Sequence, residues 1–451
     1  MKPKTDRDRV QFVLGLYLFL FLLLNTAVWT WFVVHRHGPH RFPLGERVER
    51  FGDLLRFARK PQVWQDPRLE DLGSHLRGSL FPRNYPPLAS AIYVFLLQEC
   101  APYTVPIFFA IVLSSVTAAA FFLWRRLKNF PSYRWFIGAA VFATALLGWG
   151  TETTLMRGNI EGIMWIAVWL GACGFALKRY NSAGVAFGIA SCIKPYPVLW
   201  LALMGRHKHF RGTVVGLLSA VVVTLCSLMV FSFNPVTAFR ILATPPAGVP
   251  PGTFFDMYIA SFRPMDEMML DHSLFQTIKT TARVVRDGTI WLPHDEFRLH
   301  AADPLALKLY HAYVVIAAIL GLVVVVRCWK LPVINQVFAV ANVMTLLPLI
   351  SGDYTLTVLL IPMGFFLIYL LQDVAQSTVR LSTFAMLSYL LPSVWIMAIT
   401  PMWVLHGVLK CVAVLWLLVS TLSIPLPSTL FGEVDPTRAA GAETREISAQ
   451  V

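Results

Sequence analysis

Charge is what this sequence has least of. Aspartate, glutamate, lysine and arginine make up 14% of its 451 residues. Ordinary soluble domains carry about 25%. A chain that is 56% hydrophobic with so few charges is expected to lie in a membrane, as an all-α polytopic protein rather than a string of soluble domains. Cysteine is also sparse. Cys100, Cys173, Cys192, Cys226, Cys328 and Cys411 form no C-x-x-C pair, so neither a disulfide framework nor a zinc site is signalled. No internal repeat and no basic, aromatic-interleaved module is visible, so no nucleic acid is expected as a partner. The first apolar run, Phe12 to Val34, is longer than the ~7–15 residues of a signal peptide's core and no small-residue cleavage site follows. It reads as a retained first span.

Acidic residues are outnumbered, 25 against 38 lysines and arginines, for a net charge of +13. The excess sits in short clusters between apolar runs, such as Arg125-Arg126, Lys178-Arg179 and Arg206 to Arg211. That is the pattern by which cytoplasmic loops are marked. Counting runs of about 20 residues between such flanks gives roughly ten spans plus partial, re-entrant helices. Both termini are then cytoplasmic, and two large extracytoplasmic loops cover residues 35–87 and 232–304. Short outer turns are expected at 151–159 and at Ser351 to Tyr354. Residues 1–424 form one transmembrane domain, and 425–451 read as a disordered cytoplasmic tail. The expected location is the inner (plasma) membrane, with membrane lipids as neighbours.

One stretch breaks the apolar pattern. Ala183 to Met204 is one span long, yet both flanks are basic. Lys194-Pro195-Tyr196-Pro197 interrupts it, and prolines remove N–H groups from a helix ladder. Two half-length helices forming a hairpin resolve the conflict and put Lys194 at depth. A lysine at the bilayer centre costs ~2.5–3.5 kcal/mol, so it needs a partner or a cavity. A phosphate is one such partner. Snorkelling to the cytoplasmic boundary is the competing account.

Several other positions bear chemistry. Asp53, on an apolar-looking segment of the first outer loop, suits a general base; surface charge is the plainer account. Arg157, Asn159 and Glu161 cluster at the outer end of a span, where Asn159 capping a helix with an acid in its first turn would also explain them. Tyr85-Pro86-Pro87 reads as a helix start. His272, in Asp271-His272-Ser273, offers either a contact to sugar hydroxyls or a solvated loop side chain. Asp353 lies in a short turn that either covers the site or merely turns the chain. Tyr196 sits within the broken helix.

Taken in order, these motifs resemble the integral-membrane glycosyltransferases of family 87, which have the GT-C fold. The matching pieces are Phe51-Gly52-Asp53, Tyr85-Pro86-Pro87-Leu88, Arg157-Gly158-Asn159-Ile160-Glu161, the run from Ala183-Gly184 to Lys194-Pro195-Tyr196-Pro197, and Ser273-Leu274-Phe275. His272 stands where that family usually has an amide, and no aromatic pair follows Asp53. The resemblance implies transfer of a sugar, mannose or a pentose, from a polyprenyl-phosphate-sugar lipid donor to a glycan or glycolipid acceptor. It places the reaction on the extracytoplasmic face, with inversion. Asp53 would be the base, and Lys194 and Arg157 would hold the donor phosphate. Tyr85, Asn159, Glu161, Tyr196, His272 and Asp353 would line the substrate site. The leaving group is a phosphate on a lipid, and the first loop has no paired Asp-x-Asp, so no cofactor and no metal are expected. A polytopic transporter or flippase is the alternative, since broken helices at mid-membrane also mark transporters. It would predict matching halves and small outer loops.

Overall fold

The computed structural model describes residues 85–100, 103–126, 131–243, 271–288, 303–372 and 403–426, with isolated positions between 15 and 26 and between 255 and 262. Asp53 lies outside these residues, as do most of the first outer loop, about half of the second and all but the first two residues of the tail. The described residues are helical and contain no strand. An isolated antiparallel bridge joins Asp271 to Gly352.

The order is α1 (Pro87–Gln98), α2 (Thr104–Arg126), α3 (Pro131–Leu147), α4 (Trp149–Arg157), α5 (Glu161–Ala176), α6 (Tyr180–Ile193), α7 (Val198–Arg206), α8 (Phe210–Met229), α9 (Pro235–Ala243), α10 (Leu274–Asp287), α11 (Pro304–Cys328) and α12 (Val333–Leu346). A 3₁₀ helix (Asp353–Leu359), α13 (Leu360–Gln372) and α14 (Trp403–Ser423) complete it. Of these, α8 and α11 are long and apolar enough to cross a membrane. Their side chains are mostly exposed and apolar, as a lipid-facing surface requires.

Local chemistry sets the boundaries. Pro86 and Pro87 start α1, as the sequence predicts, because Pro87 occupies a first-turn position whose N–H would be unpaired anyway. Asp303 caps α11 by accepting from the Leu305 N–H at 2.8 Å, with Pro304 following. Ser273 caps α10 by accepting from the Gln276 N–H at 3.2 Å. Residues 151–159, expected as a turn, instead form most of α4. Its threonines turn inward, and Thr151 and Thr154 donate to the carbonyls of Ala145 and Gly150. Packing against the 3₁₀ helix, which the sequence does not announce, makes this polar segment a helix. Ser351 to Tyr354 likewise leads directly into that 3₁₀ helix rather than closing a free turn.

The broken stretch doubles back. The Tyr180 ring at the start of α6 stacks on His209, just beyond the end of α7, with ring centroids 3.3 Å apart. Midway, Phe187 of α6 stacks on Trp200 of α7 at 5.2 Å. Because α7 returns, α8 runs parallel to α6. The two share paired glycines, Gly184 and Gly188 against Gly212 and Gly216. A Cβ on Gly184 would collide with the carbonyl of Gly212, and one on Gly188 with that of Gly216. Small residues four apart on both helices are what permit backbone-to-backbone packing where no water drives association.

Every basic turn of this region gathers at one end. Arg206 donates to the carbonyl of Trp329 and lies over its ring at 4.3 Å, and His207 Nε2 is 2.8 Å from Gln336 Oε1. Lys178, Arg179, Lys208, Arg211, Arg327 and Lys330 therefore share a pole. Lys194 sits at the opposite end of α6, about 20 Å away along a helix that rises about 1.5 Å per residue. Snorkelling of Lys194 to the basic pole is not what the fold does.

Candidate functional site

Lys194 is the residue at which the hairpin breaks. Its backbone is extended, with φ −141° and ψ 142°. Its N–H still closes α6 by donating to Ala190 at 3.1 Å, and the next three residues turn the chain into α7. The turn leaves the side chain at the mouth of the hairpin, not on a helix face.

That side chain meets two groups brought from elsewhere. Its Nζ is 3.4 Å from Glu161 Oε1, and 4.9 Å from the centre of the Tyr85 ring. Glu161 is the first residue of α5, where the helix dipole favours a carboxylate. Tyr85 stands just before α1. Exposure is unequal: Lys194 keeps 19% of its side chain accessible and Glu161 only 1%. The cation is reachable and the anion is not. Removing one partner of a buried pair typically costs about 3–5 kcal/mol, whereas the intact pair adds little stability. Such a pair is better explained by a task than by stability.

The position of Glu161 is fixed from behind. Gly158, with φ 63°, ends α4 and reverses the chain. Asn159 Oδ1 then accepts from the Glu161 N–H at 2.9 Å. Asn159 thus closes a tight side-chain turn one residue ahead of Ile160, which is the N-cap of α5 in place of the Asn159 cap considered from the sequence. Tyr93 of α1 threads the same turn: its hydroxyl accepts from the Ile160 N–H at 3.0 Å and donates to the Gly158 carbonyl at 3.4 Å. Its ring also meets Tyr85 edge-on at 5.5 Å. Tyr93 has no signal in the sequence, because the partners of its hydroxyl lie more than sixty residues away.

A second buried cluster stands beside the first. Asp271 Oδ1 accepts from the N–H groups of Ser273 and Ser351, both at 3.0 Å. His272 is fully buried, with Nε2 3.3 Å from Ser351 Oγ and 3.2 Å from Thr355 Oγ1. The solvated loop histidine considered from the sequence is overturned. His272 instead fastens the start of α10 to the 3₁₀ helix. That helix packs on α4 and α5, so the two clusters share a wall.

Tyr85, Asn159, Glu161 and Lys194 are therefore brought together. Tyr196 is half-buried on the adjoining turn. Arg157 is the last residue of α4 and Asp353 the first of the 3₁₀ helix, but their side chains, like Asp53 as a whole, lie outside the described residues. Among the described residues no group of histidine, cysteine or acidic side chains has the spacing to hold a metal ion. In chemical terms the site offers an accessible ammonium, a flat aromatic seat and a buried counter-charge. It suits a small anion arriving from one side.

The model of glycosyltransferase family 87 matches residues 84–352, a segment that contains Tyr85, Tyr93, Asn159, Glu161, Lys194, Tyr196, His272 and Ser351 but not Asp53, Asp353 or Thr355. No curated protein matches the chain.

Proposed function

The chain belongs to glycosyltransferase family 87, and from that premise we propose that it takes its sugar from a polyprenyl phosphate and works on the extracytoplasmic face of the inner membrane. The acceptor is a glycan or a lipid-linked glycan, and the sugar is mannose or a pentose. Lys194 and Arg157 hold the donor phosphate. Asp53, from the first outer segment, takes the proton of the attacking hydroxyl. The bond from the sugar's anomeric carbon to the phosphate oxygen breaks as the bond to the acceptor oxygen forms on the opposite face, so configuration inverts. The proton ends on Asp53, and the electron pair leaves with the phosphate. Such a donor needs a multi-pass, GT-C-like scaffold whose cavity opens to the lipid, with both termini cytoplasmic.

The observation that supports this reading most is Lys194 itself. A partly exposed ammonium stands at a helix break, on the pole opposite the basic turns, seated on Tyr85. An ammonium there binds phosphate as a point charge. The test uses purified protein in proteoliposomes with a polyprenyl-phosphate sugar. Asp53→Asn should abolish transfer while leaving donor binding intact, and Lys194→Gln should weaken donor binding at least tenfold. Full transfer by the Asp53 variant removes that residue from the mechanism. Unchanged donor binding by the Lys194 variant removes the phosphate site.

A further inference from the structure

Before any donor arrives, Lys194 already has an anion. Glu161 Oε1 lies 3.4 Å from its ammonium, and the carboxylate is held on a helix terminus by the Asn159 and Tyr93 contacts behind it. A phosphate can reach the ammonium only from the exposed side, since Glu161 is 1% accessible. Donor phosphate and carboxylate therefore compete for one cation across its two sides. Tyr85 carries no charge and stays under the ammonium whichever anion wins.

The reaction tilts this competition in an unhelpful direction. The donor is a phosphodiester with one negative charge. When the sugar leaves, the product is a phosphomonoester, which carries about −1.5 to −2 at neutral pH. A lone lysine would hold the product more tightly than the substrate, and turnover would stall on release. A fixed carboxylate behind the lysine counters this, because it repels the extra charge and offers the ammonium a partner to return to. Glu161, 3.4 Å from the ammonium and on its buried side, is placed to do so.

We propose that Glu161 is a positioning residue that recaptures the Lys194 ammonium after transfer and so drives out the polyprenyl phosphate product. This rests on the reading of Lys194 as the phosphate site. It assigns Glu161 to release rather than to sugar recognition.

The experiment measures steady-state transfer, single-turnover transfer and inhibition by a short-chain polyprenyl phosphate in proteoliposomes, for the full-length protein. Glu161→Gln keeps the side chain's size and loses its charge. It should tighten inhibition by the polyprenyl phosphate about tenfold or more, the size of a charge-assisted contact. The donor KM should fall less. Steady-state kcat should fall more than the single-turnover rate, because release has become limiting. Glu161→Asp draws the carboxylate back and should give an intermediate inhibition constant. It also keeps the test alive if the glutamine variant does not fold. Inorganic phosphate, run alongside, should show the same order of variants at weaker affinity. Lys194→Gln separates the two ideas. If it leaves donor binding unchanged, the phosphate site itself is wrong. If it weakens donor binding while Glu161→Gln and Glu161→Asp leave product inhibition at the wild-type value, the phosphate site stands and the recapture role is overturned.

Discussion

Tyr93 carries the geometry of the site through the turn that leads into Glu161. Its hydroxyl satisfies the Ile160 N–H in a turn where Ile160 is fully buried. Tyr93→Phe leaves that donor unpaired and should cost about 1–3 kcal/mol, the penalty of a buried unsatisfied group. Thermal unfolding in detergent reads this directly; an unchanged midpoint would mean that the turn holds itself. Tyr85 is a different case, since its ring face, not its hydroxyl, meets Lys194. Tyr85→Phe should leave donor affinity near the wild-type value. Tyr85→Leu should weaken it several-fold, as cation–π contacts of ~0.5–2 kcal/mol imply. Equal loss in both variants would put the hydroxyl, not the ring, in the contact. At this scale the sequence shows Lys194, Glu161 and Tyr85 as separate oddities. That they meet is invisible in it, because pairing across distant segments leaves no local periodicity.

The hairpin of α6 and α7 is the element most fully legible beforehand. Two prolines and a lysine in an apolar run flanked by basic residues leave few other folds, and the ring stack of Tyr180 on His209 is the result. What fixes the hairpin was less visible: α6 lies against α8 with glycine on both sides. Gly188→Val would push a side chain into the Gly216 carbonyl and should separate the helices, costing several kcal/mol by the measure of overpacked cores, where about 1–3 kcal/mol is common. Loss of thermal stability together with loss of donor binding is the expected outcome. The same substitution at Gly321 of α11, where a Cβ meets open space, should change little. The α4 segment escapes the sequence for the opposite reason. Its threonines look like a turn, and only the 3₁₀ helix packed against it makes a helix the better solution. The two lysines with positive φ, Lys178 at 60° and Lys208 at 61°, occupy helix-ending positions where glycine is preferred. Each lysine carries a conformational cost of about 1 kcal/mol or more there.

Among the described residues, the helix ends sort to two poles, and the basic turns around α5 to α8 and α11 gather at one of them. The ends of α5, α7 and α11 and the starts of α6, α8 and α12 all meet at the basic pole, joined by the Arg206–Trp329 and His207–Gln336 contacts. The start of α5, the end of α6, the start of α11 and the 271–276 and 349–355 segments meet at the other. Arg286 stands at this second pole, bonded to Asp287 and to the Asp303 that caps α11, and it holds the Asp287 carboxyl below the usual range. If cations mark the cytoplasm, Lys208 faces it and Val285, exposed on α10, faces outward. Single cysteines at these two positions, in a background without native cysteines, decide the matter in intact cells. A membrane-impermeant maleimide should modify Val285→Cys and leave Lys208→Cys untouched until the membrane is opened. The reverse pattern would invert the protein and carry the Lys194–Glu161 pair to the cytoplasmic side, where a donor presented outside could not reach it. Labelling of both positions in sealed cells would mean that the poles do not lie on opposite sides of a membrane.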